Sequence, residues 1–340
     1  MINPAIFTRL SLAAFLLALV VIVVGAYVRL SDAGLGCPDW PGCYGQLVAP
    51  DEHHEIKQAM DAFPEHSVDS GKAWKEMVHR YLASTLGFLI LIMAWIAWRN
   101  RGHQQQFYVP LILVGLVIFQ GMLGMWTVTL LLKPTIVTLH LLTGLLTLSL
   151  LFWVWMKQNK TLQQTLITGR SVSNGLLFWA RAGLLMLALQ IFLGGWTSTN
   201  YVALYCPDFP TCQGAWWPEM KISEAYVFFR ESGVNYEGGT LSNAAGMTVH
   251  TLHRVGALLT FLLISAIVIS VLSGVRLLLI RRVAYWVMVL LLLQLGLGIA
   301  NVLLRLPLAL AVAHNAGAAL LLLAMLRLNF LLHYTNKNRV

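Results

Sequence analysis

Charged residues are scarce in this chain of 340 residues: 11% are Asp, Glu, Lys or Arg, whereas 58% are hydrophobic. A soluble domain carries about 25% charged residues, so this composition excludes a soluble globular protein. The formal net charge of +9 suggests nucleic-acid binding until the charges are placed along the chain. We therefore predict an integral membrane protein in contact with lipid, and we expect no nucleic acid among its partners.

Acidic residues are absent from most of the chain. All 14 lie in two stretches, 32–76 and 208–237. Cytoplasmic loops collect Lys and Arg, so the basic breaks orient the chain with both termini in the cytoplasm and the two long loops in the periplasm. Those basic residues are Arg99, Arg101, Lys157, Lys160, Arg170, Arg276, Arg281, Arg282, Arg327, Lys337 and Arg339.

Cysteine is also rare, with four residues in two Cys-x5-Cys pairs, one in each long loop. Neither pair has the further nearby ligands that a structural zinc ion needs. In an oxidising compartment the simpler prediction is a short disulfide in each loop, Cys37–Cys43 and Cys206–Cys212. A redox-active Cys37–Cys43 pair stays open as an alternative.

Long apolar runs take up most of the chain. A run of about 20 residues spans the hydrocarbon core, and the N-terminal run has no convincing signal-peptide cleavage site. The sequence therefore predicts an all-α integral membrane protein with eight transmembrane helices. The runs are 9–29, 75–98, 107–131, 135–156, 176–197, 248–273, 280–303 and 308–331.

An internal repeat divides the eight helices into two sets of four. Cys37-Pro-Asp-Trp-Pro-Gly-Cys43 recurs as Cys206-Pro-Asp-Phe-Pro-Thr-Cys212, 169 residues later (206 minus 37). Past the loops the offset is 174 and pairs His79-Arg80 with His253-Arg254, Gln120 with Gln294, and His140 with His314. An even number of helices gives both halves the same orientation. We predict two pseudo-symmetric four-helix bundles, 1–160 and 170–340, related by an axis along the membrane normal.

Four histidines form two repeat-related pairs within the apolar runs. An ionisable side chain in a membrane helix is costly and marks a functional site, although a single histidine is as often glue between helices. The pairs are His79 with His140 and His253 with His314. Five further histidines, in the first long loop or at the cytoplasmic surface, are expected to be solvated: His53, His54, His66, His103 and His333.

Two imidazoles on facing helices suit the axial positions of a haem iron, whereas a bare metal ion would need three or four ligands in one place. Glycines on the third helix of each half would let a flat macrocycle approach closely, and ordinary helix packing explains them equally well. They are Gly121, Gly124, Gly296 and Gly298. Arg80 and Arg254 each follow a ligand and would pair with haem propionates; the alternative is an interfacial Arg that reaches the headgroups.

The halves differ at the position three residues before the first ligand. Glu76 stands there in the first half and His250 in the second. Residues at i and i+3 share a helix face, so Glu76 is predicted to point toward whatever His79 holds. A first-turn Glu that favours the helix dipole is the alternative. A carboxylate beside one of two equivalent sites indicates that one haem is acted on and the other passes electrons.

Taken together, these residues resemble haem A synthase, and the resemblance covers nearly the whole chain. It rests on Glu76-x-x-His79-Arg80, His140, His253-Arg254, His314 and the paired Cys-Pro-Asp-aromatic-Pro-x-Cys loops. The resemblance implies eight helices in two four-helix bundles. It also implies the conversion of haem O to haem A, in which successive hydroxylations of a ring methyl give a geminal diol that loses water to leave a formyl group.

Carried onto this sequence, the resemblance implies that His79 and His140 flank the substrate haem and that Glu76 is the catalytic carboxylate. His253 and His314 would be the axial ligands of a resident haem b. His250 is outside the family's core pattern and is left unassigned. Both cysteine pairs are present here, whereas some members lack one.

Two other functions remain open. A di-haem b carrier that exchanges electrons with quinone explains both histidine pairs but gives no role to Glu76. A transporter built from parallel repeats explains the topology but not the histidines. The synthase hypothesis implies an electron acceptor and a haem O synthase as partners, and the short N-terminus without an Arg/Ser-rich transit peptide predicts a bacterial inner membrane.

Overall fold

The computed structural model describes residues 4–100, 108–158 and 172–337. These ranges contain ten helices and no β-sheet, and eight of the helices are long and apolar enough to cross a membrane. The prediction of an all-α membrane protein with eight spanning helices is confirmed. The spanning helices are α1 (Pro4–Leu30), α3 (Ser70–Arg99), α4 (Tyr108–Thr129), α5 (Pro134–Gln158), α6 (Asn174–Thr199), α8 (Asn243–Gly274), α9 (Leu278–Leu303) and α10 (Leu308–Lys337). Two short helices, α2 (His53–Ala62) and α7 (Ile222–Ala225), lie in the long loops.

Several residues of the sequence analysis lie outside the described residues. They are Arg101, His103, Lys160, Arg170 and Arg339, together with residue 107, where the third apolar run was predicted to begin. Their predicted positions stay predictions.

The helices that carry the first histidine of each pair begin about a turn or more before the predicted runs, which start at 75 and 248. Capping residues explain the difference, because they satisfy amide groups that an apolar run does not reveal. The Asp69 side chain accepts a hydrogen bond from the amide of Lys72 (3.0 Å), so α3 begins at Ser70. The Ser242 hydroxyl accepts one from the amide of Ala245 (3.4 Å), so α8 begins at Asn243.

The chain forms two compact units. The first unit comprises the residues up to Leu151 together with Thr199–Tyr201 and Val227–Thr240. The second unit comprises Phe152–Ser198, Val202–Tyr226 and the residues from Leu241 onward. The end of α5 belongs to the second unit, where Trp153 packs edge-on against Phe330 with ring centroids 5.1 Å apart. The pseudo-symmetric arrangement of halves 1–160 and 170–340 stays a prediction.

Local backbone geometry recurs at the offsets of the sequence repeat. Both cysteine loops contain a cis X-Pro peptide, and residues with left-handed backbone angles stand at matching positions in the loops and in the turns before α5 and α10. The matched pairs are Asp32 with Tyr201, Tyr44 with Gln213, Gly45 with Gly214, Leu131 with Arg305, and Leu132 with Leu306. The repeat therefore extends from the sequence to the conformation of the turns.

The second long loop contributes a segment, Val227–Thr240, to the first unit. The Thr135 hydroxyl donates to the carbonyl of Phe228 (2.5 Å), and the amide of Tyr236 donates to the carbonyl of Leu131 (3.0 Å). These bonds hold the segment against the turn between α4 and α5, about two helical turns before His140.

Candidate functional site

A compact loop closed by a disulfide lies over the start of α3. Cys37 and Cys43 are bonded, and the Asp39 carboxylate accepts hydrogen bonds from the amides of Tyr44 (2.6 Å) and Gly45 (2.9 Å). Both cysteines are buried, together with Ala73 and Met77 of α3. The loop is therefore built as a small core of its own and packs on the helix that carries His79.

The second cysteine loop repeats this construction. Cys206 and Cys212 are bonded, and the Asp208 carboxylate accepts hydrogen bonds from the Thr211 hydroxyl and from the amides of Gln213 (2.6 Å) and Gly214 (3.0 Å). The bond from Thr211, followed by those from the main-chain amides, lowers the pKa of Asp208 to about 2. The predicted pairing of the cysteines is confirmed in both loops.

Arg80 fastens the first loop to α3. Its Nη1 donates to the carbonyls of Asp39 (3.1 Å), Pro41 (3.2 Å) and Gly42 (2.5 Å). In the second unit, Arg254 donates to the carbonyls of Thr211 and Cys206, both at 2.7 Å. The described contacts thus assign both guanidinium groups to loop carbonyls, and the propionate contacts expected for them stay a prediction.

Glu76 is buried between Arg80 and the first loop, with 5% of its surface exposed. Its Oε1 accepts from Nη2 of Arg80 at 2.5 Å, an i,i+4 ion pair on α3. Its Oε2 accepts from the amide of Cys37 at 3.0 Å. The carboxylate therefore connects the disulfide loop to the helix face on which His79 lies.

His250 has the equivalent position in the second unit and contacts the corresponding loop and arginine. The amide of Cys206 lies 3.3 Å from Nδ1 of His250, and Nε of Arg254 lies 3.3 Å from Nε2 of the same ring. Because a neutral imidazole accepts at only one of its two nitrogens, one of these two contacts is a hydrogen bond to the ring. The sequence predicts no role for His250, although His250 is the counterpart of Glu76 at the offset of 174. Its described contacts make it a loop-binding residue.

The first histidine pair lies between facing helices of the first unit. The rings of His79 on α3 and His140 on α5 have centroids 6.5 Å apart and planes at 78°. Each ring lies beside a glycine, since a Cβ added at Gly25 would be 2.8 Å from His79 and one added at Gly124 would be 3.6 Å from His140. The pair predicted from the sequence is brought together by the fold.

The second pair has the same surroundings. His253 on α8 lies beside Gly194 of α6, and His314 on α10 lies beside Gly298 of α9; an added Cβ would be 3.0 and 3.1 Å from the respective rings. A side chain at either glycine would occupy the space beside a ligand.

The contacts of the glycines refine the sequence analysis. Gly124 and Gly298 were predicted, whereas Gly25 and Gly194 were missed even though they are related by the loop offset of 169 (194 minus 25). Within the described part of the chain, no side chain lies within 4 Å of a Cβ added at Gly121 or at Gly296.

In the described ranges, three glutamines bind the helices that carry the paired histidines, each at the histidine itself. Each donates from its Nε2 to the main-chain carbonyl of a histidine. Gln120 binds His140 (3.1 Å) in this way, Gln294 binds His314 (3.0 Å), and Gln190 binds His253 (3.0 Å). The first two were noted in the sequence only as anchors of the repeat. They hold the helices in register at the height of the imidazoles.

The spacing of the first pair fits a haem. Two nitrogens at about 2 Å from one iron place ring centres about 6 Å apart, close to the separation of His79 and His140. The Nδ1 atoms of His79, His140 and His314 are buried without a hydrogen-bond partner among the described residues. Across those residues no group of three or more His, Cys, Asp or Glu side chains is arranged to hold a metal ion. Two ligands with glycines beside them suit a flat macrocycle better than a bare ion.

The remaining histidines lie apart from the two pairs. His53 and His54 are in α2, where His54 contacts Glu52 (3.3 Å), and His66 is exposed in the first loop. His333 lies 3.4 Å from Arg181 within the second unit.

The fold and the site define a class of protein: a helical membrane protein of eight spans, with two disulfide loops and a pair of histidines inside each unit. A family model described as cytochrome oxidase assembly protein, COX15-CtaA, matches residues 8–326. The chain belongs to this family, as the resemblance stated above implied.

Similar proteins include haem A synthases from several bacteria. The haem A synthase of Shewanella oneidensis is 40% identical over 320 residues, which are 94% of each chain. That of Rickettsia bellii is 26% identical over 288 residues, 78% of this chain and 80% of the relative. That of Shouchella clausii is 28% identical over 220 residues, 62% and 65% of the two chains.

Proposed function

We propose that this protein is a haem A synthase of the bacterial inner membrane, which oxidises a ring methyl of haem O to the formyl group of haem A. The observation that carries the proposal is the match of two histidine pairs at one offset, combined with a carboxylate at Glu76 where the second unit has His250. The 40% identical haem A synthase, which spans nearly the whole chain, supports the same activity.

In this proposal the first unit holds the substrate. His79 and His140 flank the iron of haem O, and Gly25 and Gly124 leave room beside the two rings. The disulfide loop, fastened by Arg80, covers the end of the site at which α3 begins. Membrane lipid surrounds the bundle, and a haem O-forming enzyme supplies the substrate.

The second unit would hold the resident cofactor. His253 and His314 would hold a haem b, with Gly194 and Gly298 beside them. A haem b bound there supplies reversible one-electron chemistry. The protein's own contribution is to fix the two imidazoles, through Gln190 and Gln294, at the main-chain carbonyls of the ligand helices.

Written with water as the oxygen source, conversion of a methyl to a formyl group consumes one water and releases four protons and four electrons. The electrons must pass to an acceptor in the membrane. Glu76 accepts or relays protons at its carboxylate oxygens, since a positioned carboxylate is a general base. Arg80 and the amide of Cys37 hold that carboxylate one helical turn from His79.

A di-haem b carrier is the second candidate. It is favoured by the equal construction of the two histidine pairs. It does not account for the replacement of His250 by a carboxylate in the first unit, because each residue alone suffices to bind the amide of a cysteine loop.

Haem extraction from the purified protein tests the proposal. The chain is expressed with and without a haem O-forming enzyme, and the extracted haems are separated by chromatography. We expect b-type haem in both samples and A-type haem only when haem O is supplied. Haem b alone in both samples would establish the carrier, and a protein without haem would leave only the transporter.

A further inference from the structure

Helices α1 and α6 each place a glycine against the first histidine of a pair, but they differ in the residue one turn before that glycine. Gly25 of α1 lies on His79, and Gly194 of α6 lies on His253. One helical turn earlier, on the same face, stand Val21 in α1 and Gln190 in α6. They are related by the same offset as the glycines, 169 (190 minus 21).

Gln190 contacts both the ring and the backbone of His253. Its Nε2 lies 3.0 Å from Nδ1 of the imidazole and donates to the main-chain carbonyl at 3.0 Å. Its Oε1 is buried without a hydrogen-bond partner among the described residues. A half-turn of the amide exchanges its oxygen and nitrogen. It would give a protonated Nδ1 an acceptor in place of a donor, and the amide would then give up its hydrogen bond to the carbonyl of His253.

The space for this amide is made by Gly256 of α8. A Cβ added at Gly256 would collide with Oε1 of Gln190. The counterpart of Gly256 in α3 is Leu82 (256 minus 174). The second unit therefore combines a polar residue with a small one, whereas the first unit has two apolar residues at the equivalent positions. Gln190 fits in the second unit only because residue 256 is a glycine.

Val21 presents no hydrogen-bonding side chain to His79. The group of Val21 that faces His79 is its main-chain carbonyl. Nδ1 of His79 makes no hydrogen bond of normal geometry with the described residues. The two units thus share ligands and glycines but not the group that orients the first imidazole.

An iron-bound imidazole carries its proton on the nitrogen that does not bind the metal. A hydrogen-bond acceptor at that nitrogen fixes the tautomer and the ring orientation and makes the ligand more basic. Losing such a partner typically lowers metal affinity about 10–100-fold.

We propose that Gln190 is a positioning residue that locks His253 for a permanently bound haem, and that Val21 leaves His79 suited to a haem that arrives and departs. This inference rests on the proposed function for the identity of the two haems. It adds a reason why the two sites, alike in their ligands, would retain haem differently.

The test measures haem release. In a His79→Ala background, which removes a ligand of the first unit, the protein is loaded with haem b and mixed with excess apomyoglobin as the haem acceptor. We expect Gln190→Leu to release haem about 10–100 times faster than the parent. Gln190→Glu retains an acceptor and should restore slow release. Gln120→Leu removes the comparable amide of the first unit and is the matched control; it should leave this release rate unchanged.

The midpoint potential gives a second readout that a merely structural role would not move. A more basic imidazole stabilises ferric iron, so the potential should rise in Gln190→Leu and fall in Gln190→Glu. The reciprocal change, Val21→Gln with Leu82→Gly in a His253→Ala background, should slow haem release from the first unit.

An unchanged haem release rate and midpoint potential in Gln190→Leu would overturn the inference. If Gln190→Leu did not reach the membrane, an unchanged release rate in the reciprocal variant would overturn it instead. The proposed function fails separately. A wild-type protein that forms no haem A while Gln190 controls haem b release would remove the synthase activity and keep the role of Gln190.

Discussion

Glu76 and His250 occupy the same place in the two units, and the difference between them can be tested directly. Glu76 accepts a hydrogen bond from the amide of the first cysteine of its loop and one from the arginine four residues later. His250 contacts the same two groups in the second unit and accepts from one of them. Loop binding therefore does not require a carboxylate. If Glu76 only bound the loop, a histidine at position 76 would be sufficient for activity.

We predict that Glu76→His keeps the first loop in place but lowers haem A formation about a hundredfold or more, the range expected when a general base is removed. Glu76→Gln should have the same effect, with haem O or its hydroxylated form accumulating on the protein. The measurement is the ratio of A, O and intermediate haems extracted from cells. Normal haem A formation in Glu76→His would reduce Glu76 to a loop contact and favour the di-haem carrier.

The histidines of the second unit lead to a prediction about cofactor content. His253→Ala or His314→Ala should remove the haem b signal from the optical spectrum while the protein still inserts, because the bundle is held mainly by helix packing. His333→Ala, at a histidine outside both pairs, is the control. Full haem b content in both single variants would contradict the assignment.

Among the structural elements, each cysteine loop is held in four ways: by its disulfide, by an internal Asp carboxylate, by the arginine of the helix on which it packs, and by Glu76 or His250. Closing so short a loop contributes about 2–3 kcal/mol on the chain-entropy model. The three carbonyl bonds of Arg80 do not depend on the disulfide. Loss of the disulfide should therefore loosen the first loop without detaching it.

We predict that the double variant Cys37→Ser, Cys43→Ser has a lower thermal midpoint than wild type and still forms haem A. Thermal unfolding of the purified protein and haem extraction measure the two effects. Loss of haem A formation without a change in thermal midpoint would instead establish the redox role that the sequence left open. The same pair of changes at Cys206 and Cys212 is the matched control.

The elements show what the sequence could and could not predict. Apolar runs and the repeat were sufficient for the eight helices, since both are encoded in residue order, and they brought His79 and His140 to the correct pair of helices. The role of Arg80 was not predictable in the same way. Its five donors suit a propionate and a loop carbonyl equally well, and the carbonyl of Gly42 lies 38 residues away in the chain.

Other parts of the site were available from the sequence but were missed. Gly25 and Gly194 are related by the offset that already related the cysteine loops, yet glycine in an apolar helix also occurs for ordinary packing. Gln190 has no matching glutamine in the first half, since its counterpart is Val21. The segment Val227–Thr240 could not be placed in the first unit, because the repeat assigns it to the second half and its contact with Thr135 spans 93 residues.

For the molecule as a whole, the proposed function requires a definite orientation in the membrane. Lys and Arg of the short breaks resist translocation, so the turn between α8 and α9 should face the cytoplasm and α2 the periplasm. Both places offer an exposed side chain for labelling: Met60 in α2 is 52% exposed and Leu278 at the start of α9 is 59% exposed. The four native cysteines are all in disulfides, so a single added cysteine would be the reactive one.

We predict that Met60→Cys reacts with a membrane-impermeant maleimide in intact spheroplasts, whereas Leu278→Cys reacts only after the membrane is permeabilised. Labelling of the denatured proteins controls for expression. This orientation places the start of α3, the two disulfide loops and the outer ends of the ligand helices on the oxidising side of the membrane, where a disulfide persists. The opposite labelling pattern would put both cysteine loops in the reducing cytoplasm. It would contradict the periplasmic loops and would require both haem sites to be reached from the cytoplasmic face.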